Sequence, residues 1–185
     1  GRVTGTPLLF VATVERGGQE GRKATLLSFV AILVLLLLDF WGFRFTPGAV
    51  GRGVLSAVLA LVPLGVGAVW MVGLMNLAGM ELNMVNIIAI PLLLGIGIDD
   101  GVHVIHRYRH EGTGSVPRVL GTTGRAILLT SLTTMAAFGS FALGLYQGFV
   151  SMGIILAAGI AICFVLSAYL VPALLKVVEL MKVKL

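Results

Sequence analysis

Residues 91–112 are PLLLGIGIDDGVHVIHRYRHEG, and they place two adjacent carboxylates, Asp99 and Asp100, inside an apolar run. The run begins at Met84, which at ~1.5 Å of helix rise per residue puts about 22 Å of helix before Asp99. It ends at Ile105, about 9 Å beyond the acid pair by the same rise. A helix of this length can cross a bilayer, so the sequence predicts a transmembrane helix that holds both acids inside the hydrocarbon.

The rest of the composition agrees with a membrane protein. Of the 185 residues, 58% are hydrophobic and 11% are charged, whereas soluble domains carry about a quarter charged residues. The apolar residues fall in five blocks that reach or approach the ~20 residues needed to span a bilayer. We therefore expect an all-α membrane protein, a bundle of five transmembrane helices. The blocks cover approximately residues 24–40, 54–78, 84–105, 126–145 and 149–175.

The two ends of the chain differ from this transmembrane domain, which we place at residues 24–175. Residues 1–23 mix polar and apolar side chains, and VTGTPLLFVATVE within them fits either a strand or an amphipathic lead-in. We expect residues 1–23 to be the end of an external, periplasmic domain with its lead-in. Residues 176–185 are expected to form a cytoplasmic tail.

Basic residues predict the orientation of the bundle. Nine Lys and Arg residues follow blocks one, three and five, and the other side has only the four of the leading segment. Because cytoplasmic loops are enriched in Lys and Arg, we expect an external amino terminus and a cytoplasmic carboxyl terminus. The expected location is a bacterial inner membrane, crossed several times. The nine residues are Arg44, Arg52, Arg107, Arg109, Arg118, Arg125, Lys176, Lys182 and Lys184.

The acid pair is the strongest chemical signal. A charge at the centre of a transmembrane helix costs roughly 2.5–3.5 kcal/mol on insertion scales. Desolvation and mutual repulsion therefore favour the protonated form of at least one carboxyl. A carboxyl that gains and loses a proton can load it from one side of the membrane and release it to the other. Asp99 and Asp100 are thus predicted to form a proton relay.

Neighbouring polar residues are candidate relay partners. His103 lies four residues after Asp99 and three after Asp100, within side-chain reach on a helix. Thr130 and Thr134 share one face of the fourth predicted helix and could hydrogen-bond carboxylates or water. Either the Thr hydroxyls reach the acids or they bond carbonyls of their own helix. Three glycines are expected to let a neighbouring helix pack closely against the acid helix. These helix-packing glycines are Gly95, Gly97 and Gly101.

Several other functions are excluded or disfavoured. The net charge of +5 comes from residues that flank apolar blocks, so no nucleic-acid partner is expected. The glycines of GIGIDDG do not fit a dinucleotide-binding fingerprint. No metal-site spacing or nucleophile elbow is present, so we expect neither an enzyme nor a catalytic residue, metal or cofactor. Cys163 is the single cysteine, which excludes a disulfide within the chain.

Three motifs resemble one known superfamily. LGIGIDDGVHVIHRYR resembles the Gly-x-Gly-x-Asp-Asp helix of resistance-nodulation-division exporters, in their MMPL-like and hopanoid-exporter-like branches. LLTSLTTMAAFGSFAL resembles the helix that follows it in that superfamily, and VPALL resembles the last helix of a half. Together the motifs cover most of residues 84–175.

The resemblance implies proton-driven export of hydrophobic or lipid-like substrates, with a proton gradient as the energy source. It implies that Asp99 and Asp100 are the relay residues. Members of this superfamily resemble a duplicated unit, in which each half has one helix, an external domain and then five more helices. This chain resembles the last five, from the carboxyl-terminal half. The implied partners are the other half, the substrate and membrane lipids; a homo-oligomer is left open.

Three alternatives remain from the sequence. One is a sterol-sensing-type module that binds lipid and regulates a partner. Another is a protein-translocation accessory of the same superfamily, although the second acid and His103 argue against it. The most distant is an intramembrane aspartyl protease, whose Gly-x-Gly-Asp motif is interrupted here by Ile98.

Overall fold

The computed structural model describes residues 6–41, 47–81, 83 and 85–181. These residues form five α-helices and two short 3₁₀ turns, at Asn86–Ile88 and Ser140–Leu143, and no strand occurs among them. Met84, the expected start of the third block, lies outside the described residues, as do Arg2, Arg44, Lys182 and Lys184. The helices are α1 (Thr6–Trp41), α2 (Pro47–Leu77), α3 (Ala89–Glu111), α4 (Val116–Gly139) and α5 (Gln147–Leu180).

Each helix contains a segment long and apolar enough to cross a membrane. This confirms the prediction of an all-α protein with five transmembrane helices. Helix α1 extends furthest beyond its apolar block, and its 36 residues measure about 54 Å at ~1.5 Å per residue. By contrast, α3 begins only at Ala89 and α4 ends at Gly139, both inside their predicted blocks. Within residues 1–23, the described part begins at Thr6, and all of it is helical. The assignment of residues 1–23 and 176–185 to compartments stays a prediction.

The helix that holds the two acids lies at the centre of the bundle. α3 contacts all four other helices, and α2 and α5 also contact each other. α1 lies to one side against α2 and α3, and α4 lies against α3 and α5. The membrane segments of α1 and α4 are mostly exposed, whereas those of α2, α3 and α5 are more buried. α2, α3 and α5 therefore form the core, and the α3–α4 seam lies near its surface.

One end of the bundle contains the end of α1, the ends of α3 and α5, and the α3–α4 loop. We call it the basic end. His106 forms a side-chain hydrogen bond with the Asp39 carboxylate and stacks on Phe40, with ring centroids 4.8 Å apart. Arg109 donates a hydrogen bond of 3.0 Å to the Phe40 carbonyl oxygen. These contacts attach α1 to α3 beside the loop that follows the acid helix.

At the opposite end, hydrogen bonds of two amides, the buried Asn86 and the exposed Asn83, connect the helices. Asn86 is fully buried, and its Nδ2 donates a hydrogen bond of 2.9 Å to the Glu81 carbonyl oxygen. The Nδ2 of Asn83 donates to the Ser151 Oγ over 3.1 Å, which joins the α2–α3 connection to the start of α5. Since a buried unpaired amide costs free energy, this network favours one geometry for the start of the acid helix.

Candidate functional site

The two acids point in different directions from α3. Asp100 is 7% exposed, whereas Asp99 is exposed on the surface of the described chain. Successive residues of an α-helix lie about 100° apart, so adjacent acids cannot share one face. The structure therefore gives the pair one buried carboxylate in the bundle and one at the open α3–α4 seam.

Asp100 has a direct partner on α4. The Oγ of Ser131 donates a hydrogen bond of 3.0 Å to the Asp100 Oδ2. Ser131 is itself only 4% exposed. This is a contact between two buried polar groups on different helices, and it sets the position of the carboxylate relative to α4.

A small polar cavity adjoins the two acids. Its volume is about 70 Å³, and it lies where α3, α4 and α5 meet. That volume exceeds the roughly 30 Å³ share of one water molecule in the liquid, and the polar lining gives a water hydrogen-bond partners. The cavity can thus bring water to the carboxylates. Its polar lining residues are Asp99, Asp100, Thr130, Ser131, Thr134 and Cys163.

His103 lines a different cavity. This second cavity, of about 360 Å³, lies one turn closer to the basic end and also includes Arg107 and Thr122. His103 does not line the carboxylate cavity, but Thr130 lines both cavities. The two spaces are therefore adjacent along the α3–α4 seam, with Thr130 between them.

The Thr130 and Thr134 hydroxyls hydrogen-bond to their own helix. Thr130 Oγ1 donates to the Ile127 carbonyl oxygen over 3.0 Å, and Thr134 Oγ1 donates to the Thr130 carbonyl oxygen over 2.7 Å. Both residues nevertheless line the carboxylate cavity. Each hydroxyl oxygen retains acceptor capacity toward a water in that cavity.

The three predicted packing glycines have different surroundings. A Cβ at Gly97 would lie 2.7 Å from the Cys163 Sγ, and one at Gly101 would lie 3.3 Å from the Ala60 carbonyl oxygen. These two glycines admit α5 and α2 close to the acid helix. A Cβ at Gly95 would meet nothing within 4 Å, and this glycine faces open space.

Two residues of the site were not predicted in these roles. The sequence analysis predicted Thr130 and Thr134, not Ser131, as the α4 partners of the acids. The available signal was its neighbourhood, since Ile127 and Met135 lie one turn away on each side and mark a buried face. Cys163 was not predicted as part of the site. It is 1% exposed, and no local pattern indicated that it adjoins the acids.

Metal chemistry finds no support among the described residues, which contain no group of three or more His, Cys, Asp or Glu side chains suited to a metal ion. What the site does offer is two carboxyls, hydroxyls and a small polar space within a membrane segment. That combination is suited to binding and releasing protons.

Comparison with known proteins places the chain in a family. The family model described as the Patched SSD matches residues 24–177. A membrane protein of Methanocaldococcus jannaschii is 30% identical over 182 residues, which is 95% of this chain and 44% of the relative. The hopanoid transporter HpnN of Burkholderia multivorans is 32% identical over 152 residues, which is 82% of this chain and 16% of that transporter.

A second HpnN, from Rhodopseudomonas palustris, is 37% identical over 106 residues, which is 57% of this chain and 12% of that protein. The chain spans less than half the length of each of these relatives. The match to the family model includes all five membrane segments in whole or in large part. The chain therefore belongs to the Patched SSD family, within the resistance-nodulation-division superfamily that its acid-helix motif resembles.

Proposed function

We propose that this chain is the membrane domain of a proton-driven exporter of hydrophobic or lipid-like molecules. Asp99 and Asp100 are the groups that take up and release the proton. The observation that carries the proposal is Asp100, a buried carboxylate within a membrane-spanning helix, hydrogen-bonded to Ser131 beside a small polar cavity. The hopanoid transporters among the relatives support a lipid-like substrate.

The chemistry follows from the cost of charge in hydrocarbon. An ionised carboxylate inside the membrane is expensive, and a protonated one is much less so. Gain or loss of one proton therefore changes the relative energies of arrangements that expose or bury the acid. A full charge crossing the membrane is worth about 2.3 kcal/mol per 100 mV, which supplies the driving force. No cofactor is needed, because the proton gradient is the energy source.

The wider cavity supports a route for the proton from the basic end. Water there would lie beside His103, and Thr130 lines both this space and the carboxylate cavity. We place His103, Thr130 and Thr134 along the route as partners of the acids. Their hydroxyl and imidazole groups would orient water rather than hold the proton permanently.

The exposed side of α3 supports a partner, the other half of the same transporter. Asp99 is exposed here, and Gly95 has open space beside it. An exposed carboxylate facing lipid is costly, so a covering helix is favoured. Transporters of repeated architecture place their sites at the interface between repeats. The same surface in a homo-oligomer would be covered by a second copy.

The proposed location is the cell inner membrane, with the basic end facing the cytoplasm. The excess of Lys and Arg in the connections at that end supports this orientation. The amino-terminal end of α1 would then face outward, toward the external domain expected there.

A second candidate is a sterol-sensing-type module that binds lipid and regulates a partner. The match to the Patched SSD model favours it. Such a module needs lipid binding, but it does not need a proton gradient to act. Dependence on the gradient therefore separates the two functions.

The test uses the full-length protein in sealed lipid vesicles loaded with a fluorescent hopanoid analogue. The exporter proposal predicts transfer of the analogue that needs an imposed pH gradient and stops when a protonophore collapses it. Binding of the analogue without gradient-dependent transfer would instead support the lipid-sensing module.

A further inference from the structure

A third cavity within the membrane segments lies away from the acids. It has a volume of about 250 Å³ and lies between α2, α3 and α5, toward the end opposite the basic end. Its walls include Leu64, Met71, Met75, Leu93 and Ile155. Its lining is almost entirely apolar, so its natural occupant is hydrocarbon rather than water.

The walls are adaptable. Met71, Met75 and Met80 all line the cavity, and Met has an unbranched side chain that adjusts to irregular shapes. The volume lies below the roughly 300–1,000 Å³ of pockets that bury drug-sized ligands. Several methylenes of a flexible linear chain can follow a space of this size, because the Met side chains adjust around them.

The mouth of the cavity faces the bilayer. Val72, which lines it, is 67% exposed. It lies in a membrane-spanning segment, where exposed apolar side chains contact lipid tails. An occupant can therefore enter sideways from the membrane without crossing water.

One polar group marks the rim. Asn76 lies in the last turn of α2, lines the cavity and is exposed. Within the described part of the chain its side-chain amide has no hydrogen-bond partner. An amide at the end of a transmembrane helix lies at the depth of lipid headgroups, where it can bind a carboxylate, ester or hydroxyl.

We infer that this cavity binds the linear hydrocarbon chain of a membrane lipid, with the polar end of the lipid at Asn76. The site is distinct from the acid pair and does not depend on whether the aspartates move protons. It is nevertheless adjacent to them, because Leu64 lines it and would lie 3.2 Å from a Cβ at Gly97. An occupant therefore packs against the wall that borders the acid site.

The test uses the full-length protein in nanodiscs with palmitic acid that bears a photoactivatable diazirine in mid-chain. After illumination, mass spectrometry locates the labelled residues. Labels concentrated on α2 and α3 around the cavity are expected. Ala68→Phe puts a ring into the cavity. Because the ring would displace about two methylenes of the bound chain, this labelling should fall about tenfold. Val69→Phe, on the lipid-facing side of α2, is the matched control and should leave the labelling unchanged.

A second variant tests the site without adding a bulky ring to the cavity. Asn76→Leu should reduce labelling by the palmitic acid probe but not by a diazirine-bearing hexadecane, which has no head for the amide to bind. The inference is overturned if labels spread evenly over α1 and α4, or if Ala68→Phe and Val69→Phe label alike. It is also overturned if a photoactivatable sterol labels the cavity and the linear probe does not.

Discussion

The Oγ of Ser131 donates a hydrogen bond to the Oδ2 of Asp100 over 3.0 Å, and both side chains are buried. This contact joins α4 to the acid helix within the membrane. Because Ser131 is on a helix at the edge of the bundle, a shift of α4 would change the surroundings of the carboxylate. This contact makes α4 a candidate for the helix that shifts when Asp100 gains or loses a proton.

Ser131→Ala should impair the acid site without preventing membrane insertion. Removing the donor leaves a buried carboxylate oxygen without its partner, which costs about 1–3 kcal/mol. We expect a lower melting temperature of the purified protein and slower gradient-driven export. Thr133→Ala is the control, since the exposed Thr133 hydroxyl bonds only carbonyls of its own helix. Equal effects of the two substitutions would contradict a special role for Ser131.

Gly97→Ala should destabilise the bundle, while Gly73→Ala on α2 should be tolerated. The new methyl group at position 97 would lie 2.7 Å from the Cys163 Sγ, whereas a Cβ at position 73 would meet nothing within 4 Å. Overpacking of this kind costs about 1–3 kcal/mol. Thermal melting in detergent measures the difference, and Cys163→Ala added to Gly97→Ala should recover part of the loss. A tolerated Gly97→Ala would mean that α3 and α5 pack less closely than described.

The sequence predicted the features that follow from composition and from the lengths of the apolar blocks. Apolar block length was enough to predict five membrane helices, and the acid pair stood out because carboxylates are costly in hydrocarbon. The sequence did not predict which α4 hydroxyl meets Asp100, because that depends on the rotation of α4 against α3. The full extent of α1 was missed for a related reason: hydropathy marks the membrane segment and not the polar turns that continue the helix.

The pairing of Asp39 is another feature that needed the structure. Its carboxylate contacts the Nε2 of His106, 67 residues away in the chain. Both side chains are about half exposed, so the pair contributes little to stability. Such a contact between distant residues leaves no periodic signal in the sequence.

Glu179→Ala should loosen the α3–α4 loop. The Glu179 Oε1 accepts hydrogen bonds from the Tyr108 hydroxyl over 3.0 Å and from the Gly114 N–H over 2.6 Å. Hydrogen bonds to charged groups contribute about 1.5–3 kcal/mol, so amide hydrogen exchange of the loop should accelerate roughly tenfold or more. Lys176→Ala is the control, since Lys176 is 3.9 Å from Glu179 and mostly exposed. Unchanged exchange in Glu179→Ala would show that the loop is fixed by other contacts.

The orientation of the bundle can be measured with cysteine probes. In a Cys163→Ala background, Thr113→Cys places a thiol in the exposed loop of the basic end, and Leu145→Cys places one at the opposite end. A membrane-impermeant maleimide added to intact cells should label position 145 but not position 113. Labelling at position 113 from outside would reverse the proposed topology.

In the proposed function, the acid pair couples a proton gradient to export. The decisive measurement is substrate efflux from vesicles with an imposed pH gradient, comparing full-length wild-type protein with Asp99→Asn and Asp100→Asn at matched expression. A neutral amide removes the group that changes charge but also removes a desolvation cost, so insertion should be near normal. Each variant should insert normally and lose gradient-driven efflux. Wild-type efflux rates in both variants would rule out the proton relay and leave the pair as a polar contact between helices.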